Sequence, residues 1–127
     1  MKSPFDPTKG LVVVLARLWG PEGDTVARMA LDTGATGTLI SWDVAVFLGY
    51  DPSAVQVRKQ ITTGSGVEFA PQIPIDRFEA LGIKKSNFLV LCHTLPPTAG
   101  VHGGLGLDFL RGQRVVLDFR SGMLTLD

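Results

Sequence analysis

The chain has 127 residues, which suits a single domain over 1–127 and is enough to bury a hydrophobic core without staples. Hydrophobic residues make up 45% and charged residues 19%, a balance that excludes a disordered chain. Twelve basic and twelve acidic residues cancel, so no basic surface marks a nucleic-acid partner.

Residues 1–10 carry Pro4 and Pro7 and no apolar h-region, so they read as an extended or flexible lead-in rather than a secretory signal. A cytoplasmic protein is the expectation, with a fused or longer context left open. Residues 11–16 form the longest apolar run, far below a membrane span. They open a strand at 11–18 whose near-continuous apolar character predicts burial on both faces. A turn at 20–24 returns the chain as a strand over 25–31, with Val26, Arg28 and Ala30 alternating against Ala27, Met29 and Leu31. After a strand at 38–40, Ser41 suits an N-cap, with a short helix over 42–48 and Gly49 as its stop. Strands at 55–60 and 67–75 flank a glycine-rich tip at 62–66, the pattern of a hairpin. Pro71 and Pro74 predict that the return strand is an edge or bends away from one. Further strands fall at 75–81 and 87–92, with Lys84 and Lys85 in a solvated turn between them. A loop at 95–100, one or two helical turns at 106–111 and a closing hairpin over 114–126 complete the chain. Trp42, Phe47 and Phe109 are expected in the core, and Asp108 as a cap on the last helix. The class predicted is all-β, closed or strongly curved, with one or two short helices and no internal repeat.

Chemistry points to Asp32-Thr33-Gly34-Ala35, which follows an apolar strand. Gly34 permits a tight turn and the close approach of another backbone. A strand ending in this way presents its carboxylate from a rigid element. One carboxylate alone is a poor peptide hydrolase. Two held about 3 Å apart share a proton, because like charges so close cannot both ionise. The ionised member then takes a proton from water while the protonated one polarises the scissile carbonyl. The chain contains one Asp-Thr/Ser-Gly triplet, and 118–122 imitates it only at the wrong spacing. The second carboxylate must come from elsewhere, most simply from the same residue of a second copy across a two-fold axis.

In these motifs the chain resembles the retropepsin-like, or retroviral-type, aspartic proteases, over roughly residues 11–126. Asp32-Thr33-Gly34-Ala35 resembles their catalytic loop, and Thr63-Gly64-Ser65-Gly66 the tip of the flap that closes over bound peptide. Leu105-Gly106, in Gly104-Leu105-Gly106-Leu107-Asp108, is similar to the motif before the family's C-terminal helix. The resemblance implies an acid-protease half-barrel acting as a two-fold homodimer, an endopeptidase needing no cofactor or metal and taking extended peptide. It implies Asp32 as the catalytic acid and base. Thr33 would brace the two loops across the dimer, the Gly34 carbonyl would face peptide, and Leu105 and Gly106 would pack beneath the loop. The chain departs from the viral pattern in carrying Thr36-Gly37 after Ala35, and in a longer, Pro-containing N-terminal segment that puts the terminal dimer sheet of viral members in question.

Plainer readings stand beside these. Asp32 could be a turn aspartate capping its own backbone, and the 64–66 glycines an ordinary hairpin turn. Cys92, His93 and His102 lack a ligand pattern, which favours structural roles over a metal. A catalytically silent dimerisation or peptide-binding module on the same fold is the rival function.

Overall fold

A computed structural model describes residues 1–63 and 66–127, with Thr63 described by its backbone register alone. The chain is all-β apart from two short α-helices and two single 3-10 turns among the described residues. β2 (Val13–Gly20) and β3 (Gly23–Leu31) form the first hairpin, closing at the pair Gly20↔Gly23. Val14, Ala16 and Leu18 of β2 are buried together with Ala27 and Met29 of β3. Leu15 is exposed, so β2 alternates and only one of its faces is buried, contrary to the continuous burial its apolar run predicts.

β6 (Gly66–Ala80) is the longest strand. It pairs with β5 (Arg58–Thr63) at one end, then with β7 (Ile83–His93), and with β2 from Arg77 onward. With β4 (Leu39–Ser41) and β8 (Gly103–Leu105), the strands run in the order β2-β3-β8-β4-β7-β6, and the β6–β2 pairing closes the ring. β5 lies outside that ring, paired to β6 alone. At both β6 prolines the strand is locally an edge, as predicted: Pro71 pairs with β5 alone and Pro74 with β7 alone, because β5 ends at the Pro71 register and β2 joins only from Arg77. Pro71 stands one residue before the first β6–β7 pair. Pro74 lies between Gln72, whose N–H donates to Val57 O (2.9 Å), and Asp76, whose N–H donates to the Tyr50 hydroxyl (2.9 Å). By the two-residue period, the missing N–H of Pro74 faces the same side, where no strand runs alongside.

The β6–β7 turn also differs from expectation. Leu81 (φ 53°) and Gly82 (φ 76°) make it, and both adopt positive φ as a two-residue hairpin turn requires. Lys84 and Lys85 sit in β7 opposite Glu79 and Phe78, not in a turn. The first helix matches its sequence signals. In α1 (Trp42–Phe47) Ser41 Oγ accepts from Val44 N (3.3 Å), and Gly49 adopts φ +97° beyond the end. Phe47 is 63% exposed and Trp42 is half-buried, so only Phe109 of the three predicted core aromatics is fully inside.

Phe109 belongs to α2 (Leu107–Leu110) and packs on Phe78 and Phe88 with ring centroids 5.4 and 5.8 Å away. This aromatic cluster anchors α2 against β6 and β7; burying one such ring is worth about 1.5–3 kcal/mol. The N-terminal lead-in forms β1 (Lys2–Pro4), which pairs with β10 (Met123–Leu126), itself paired with β9 (Val115–Asp118). Phe5 is buried and meets Phe119 edge-on at 5.3 Å, fastening this small sheet.

Candidate active site

β3 and β8 run parallel, with Leu31 opposite Leu105. One residue on, Asp32 N–H donates to Leu105 O (2.9 Å), so Asp32 leaves the sheet at a fixed point. The next residues form a tight turn. Gly34 N–H donates to Asp32 Oδ1 (3.0 Å) and Ala35 N–H to Asp32 O (3.3 Å). Asp32, Thr33 and Gly34 are all exposed.

Beneath that turn lie β8 and α2. Leu105 is fully buried. A Cβ on Gly106 would fall 2.6 Å from the carbonyl of Gly37 and 2.9 Å from Ala35 O, so glycine alone lets the two backbones meet. Leu107 N–H donates to Ala35 O (2.8 Å) and Asp108 N–H to Thr36 O (3.2 Å). Thr38, fully buried, completes the join. Its hydroxyl donates to Asp108 Oδ1 (2.7 Å) and accepts from Gly106 N–H (3.1 Å), while its own N–H donates to Asp108 Oδ2 (3.0 Å). Asp108 also accepts from Phe109 N–H (2.9 Å). Its carboxylate is thus a tie to the Asp32 loop more than the simple helix cap expected of it.

Asp32 opens into a cavity of about 590 Å³. Gly34 and Gly104 line it beside the carboxylate, Gln60 and Ile61 of β5 border it, and Leu91 and His93 of β7 form its wall. The structure therefore brings Asp32, Gly34 and Ala35 together with the β5–β6 hairpin at one cavity. Thr63 pairs with Gly66 in that hairpin, whereas Gly64 and Ser65, expected at its tip, lie outside the described residues.

The metal-type residues are dispersed. Cys92 is buried, and burial pushes its thiol up to about 12, well away from a thiolate ligand. His93, its neighbour in β7, faces the other side and contacts the Glu68 carboxylate through Nε2. His102 Nδ1 accepts from Arg28 N–H (2.9 Å). No three His, Cys, Asp or Glu side chains converge among the described residues. Sequence reading missed Thr38, Glu68 and His93 as parts of this site. Thr38 and Asp108 are 70 residues apart, and Glu68 and His93 are 25, so no local pattern links either pair.

A single exposed carboxylate on a braced loop can take up or release one proton, but cannot act as base and acid at the same moment. The arrangement becomes a hydrolytic centre only with a second such group facing it. A family model described as aspartyl protease matches residues 20–109. No curated protein matches the chain. Among solved structures, the chain is similar to a retropepsin-like aspartic protease from Rickettsia conorii, with a TM-score of 0.73 and 18% identity. That match covers 99% of this chain and 88% of the other. The barrel, its projecting hairpin and the C-terminal α2 are thus a retropepsin-like fold.

Proposed function

Because the chain belongs to the aspartyl protease family, we propose that it is an endopeptidase whose active site pairs Asp32 with the Asp32 of a second copy. The observation that carries this is the placement of Asp32. Its carboxylate is exposed, its loop is braced from below by Gly106 and Thr38, and it opens into a cavity bordered by a hairpin. A two-fold axis through that loop would set the two carboxylates face to face.

Chemistry then follows from one shared proton. The ionised Asp32 takes a proton from water as the oxygen attacks the scissile carbonyl carbon. Its protonated mate donates to the carbonyl oxygen, giving a neutral tetrahedral diol. The first Asp32 then gives its proton to the amide nitrogen while the mate takes one from a diol hydroxyl, so the C–N bond breaks, acid and amine leave, and one shared proton remains on the pair. Thr33, exposed beside Asp32, would brace one loop against the other, and the Gly34 carbonyl would receive peptide N–H. Substrate would be an extended segment, since strand-like pairing suits a cavity bordered by β5.

Replacing Asp32 by Asn tests this. Cleavage of a peptide library should fall by about a hundred- to ten-thousand-fold, the usual worth of an acid–base group, while the fold is retained. Undiminished cleavage by the Asn variant would remove Asp32 from the mechanism, and a wild-type chain that dimerises but cleaves nothing would favour a binding module.

A further inference from the structure

Beyond the Pro71 register the β5–β6 hairpin stands away from the barrel, with β5 paired only to β6. One side-chain contact brings its far part back. Glu68 of β6 meets His93 Nε2 at the C-terminal end of β7, and His93 lines the cavity that holds Asp32. Ile61 is the cross-strand partner of Glu68, so the two side chains share one face of the hairpin. Ile61 lines the same cavity. Ile61 and Glu68 are half-buried, whereas Gln60 and Phe69, the neighbouring pair on the other face, are exposed, so the face held by the contact is the one turned inward.

We propose that Glu68 and His93 form a latch that positions the hairpin over the Asp32 cavity, making both residues positioning residues for substrate retention. This role rests on the endopeptidase reading given above, whereas the latch itself does not. A hairpin rooted at one end pivots about its root, and a tie near the far end restricts that motion most. The Glu68 and His93 side chains are 43% and 31% exposed, so water competes for both. The tie is accordingly weak enough to release as peptide enters and leaves, and neither residue touches the reacting atoms.

Amide hydrogen exchange on the full chain, followed through Glu68→Ala, His93→Ala and the double variant, reads the latch without needing catalysis. Each single variant should speed exchange of the hairpin amides at 58–62 and 67–70 about two- to fivefold, the size expected of a partly exposed polar side-chain contact, and leave β2 and β3 unchanged. The double variant should exchange no faster than either single one, because only one contact is lost. Additive effects, no acceleration, or equal acceleration throughout the barrel would each overturn the latch. In a cleavage assay both variants should raise KM by a similar factor with kcat nearly constant; unchanged KM despite faster hairpin exchange would overturn the positioning role. If the wild-type chain cleaves no peptide, the exchange data still decide the latch, and the endopeptidase reading fails separately.

Discussion

Thr38 is the one buried polar side chain among the described residues, and it lies in the segment that carries Asp32. Its hydroxyl is both donor and acceptor, linking Asp108 of α2 to the Gly106 N–H. Thr38→Val keeps the volume but leaves a buried N–H without its acceptor and removes one partner of a carboxylate. Unfolding free energy should fall by about 1–3 kcal/mol, seen as a lower Tm in a thermal melt. An unchanged Tm would mean that water replaces the hydroxyl and that the loop is held by its backbone bonds alone. Residues differ here in how legible they were. Asp32 could be read because its motif is consecutive along the chain and follows an apolar strand. Thr38 read only as the start of a strand, since what gives it a role is a partner 70 positions away.

Elements were legible where local chemistry decides them. Ser41 and Gly49 bound α1 because a cap oxygen and a positive φ are local requirements. β3, β9 and β10 follow from alternation and glycine turns, whereas β2 was legible as a strand but not in having one exposed face. Misreadings came where tertiary context overrides the local signal. Pro71 and Pro74 do mark places where β6 has one neighbour, but they do not reveal that the same strand is flanked on both sides from Arg77 onward. Lys84 and Lys85 look like a turn, yet Leu81 and Gly82 already provide one, and the Lys85 ammonium lies 5.6 Å from the ring centres of Phe88 and Phe109. The β8–α2 junction depends on contact between distant segments. Gly106→Ala tests it, because the added methyl would meet the Gly37 and Ala35 backbones, which cannot turn aside as a flexible side chain can. A loss of about 1–3 kcal/mol is expected from such overpacking. If α2 shifts to relieve the clash, the Asp32 loop moves with it through Ala35 and Thr36, so peptide cleavage should fall even below the melting transition. Full activity in a destabilised variant would show that the loop keeps its geometry without this junction.

At the scale of the whole molecule, chemistry and assembly become one question, because each chain supplies a single Asp-Thr-Gly motif. The N-terminal lead-in contains an extended strand, β1, that pairs with β10 of its own chain. The two-fold contact proposed around Asp32 therefore has to form between chains whose terminal strands are already paired. Subunit mixing tests the shared site more sharply than sizing does. In a pair made of one wild-type chain and one Asp32→Asn chain, one carboxylate faces one amide, and no shared proton is available to either. With random assortment, about ninefold excess of the Asn variant over a fixed amount of wild-type chain should lower peptide cleavage roughly tenfold, since few wild-type chains then find a wild-type partner. The same excess of a chain that cannot pair should leave the rate unchanged, which separates poisoning from competition for substrate. If native mass spectrometry shows that mixed pairs form while the rate stays constant, each chain hydrolyses peptide without its partner's carboxylate, and the paired Asp32 site is wrong even though the fold is right.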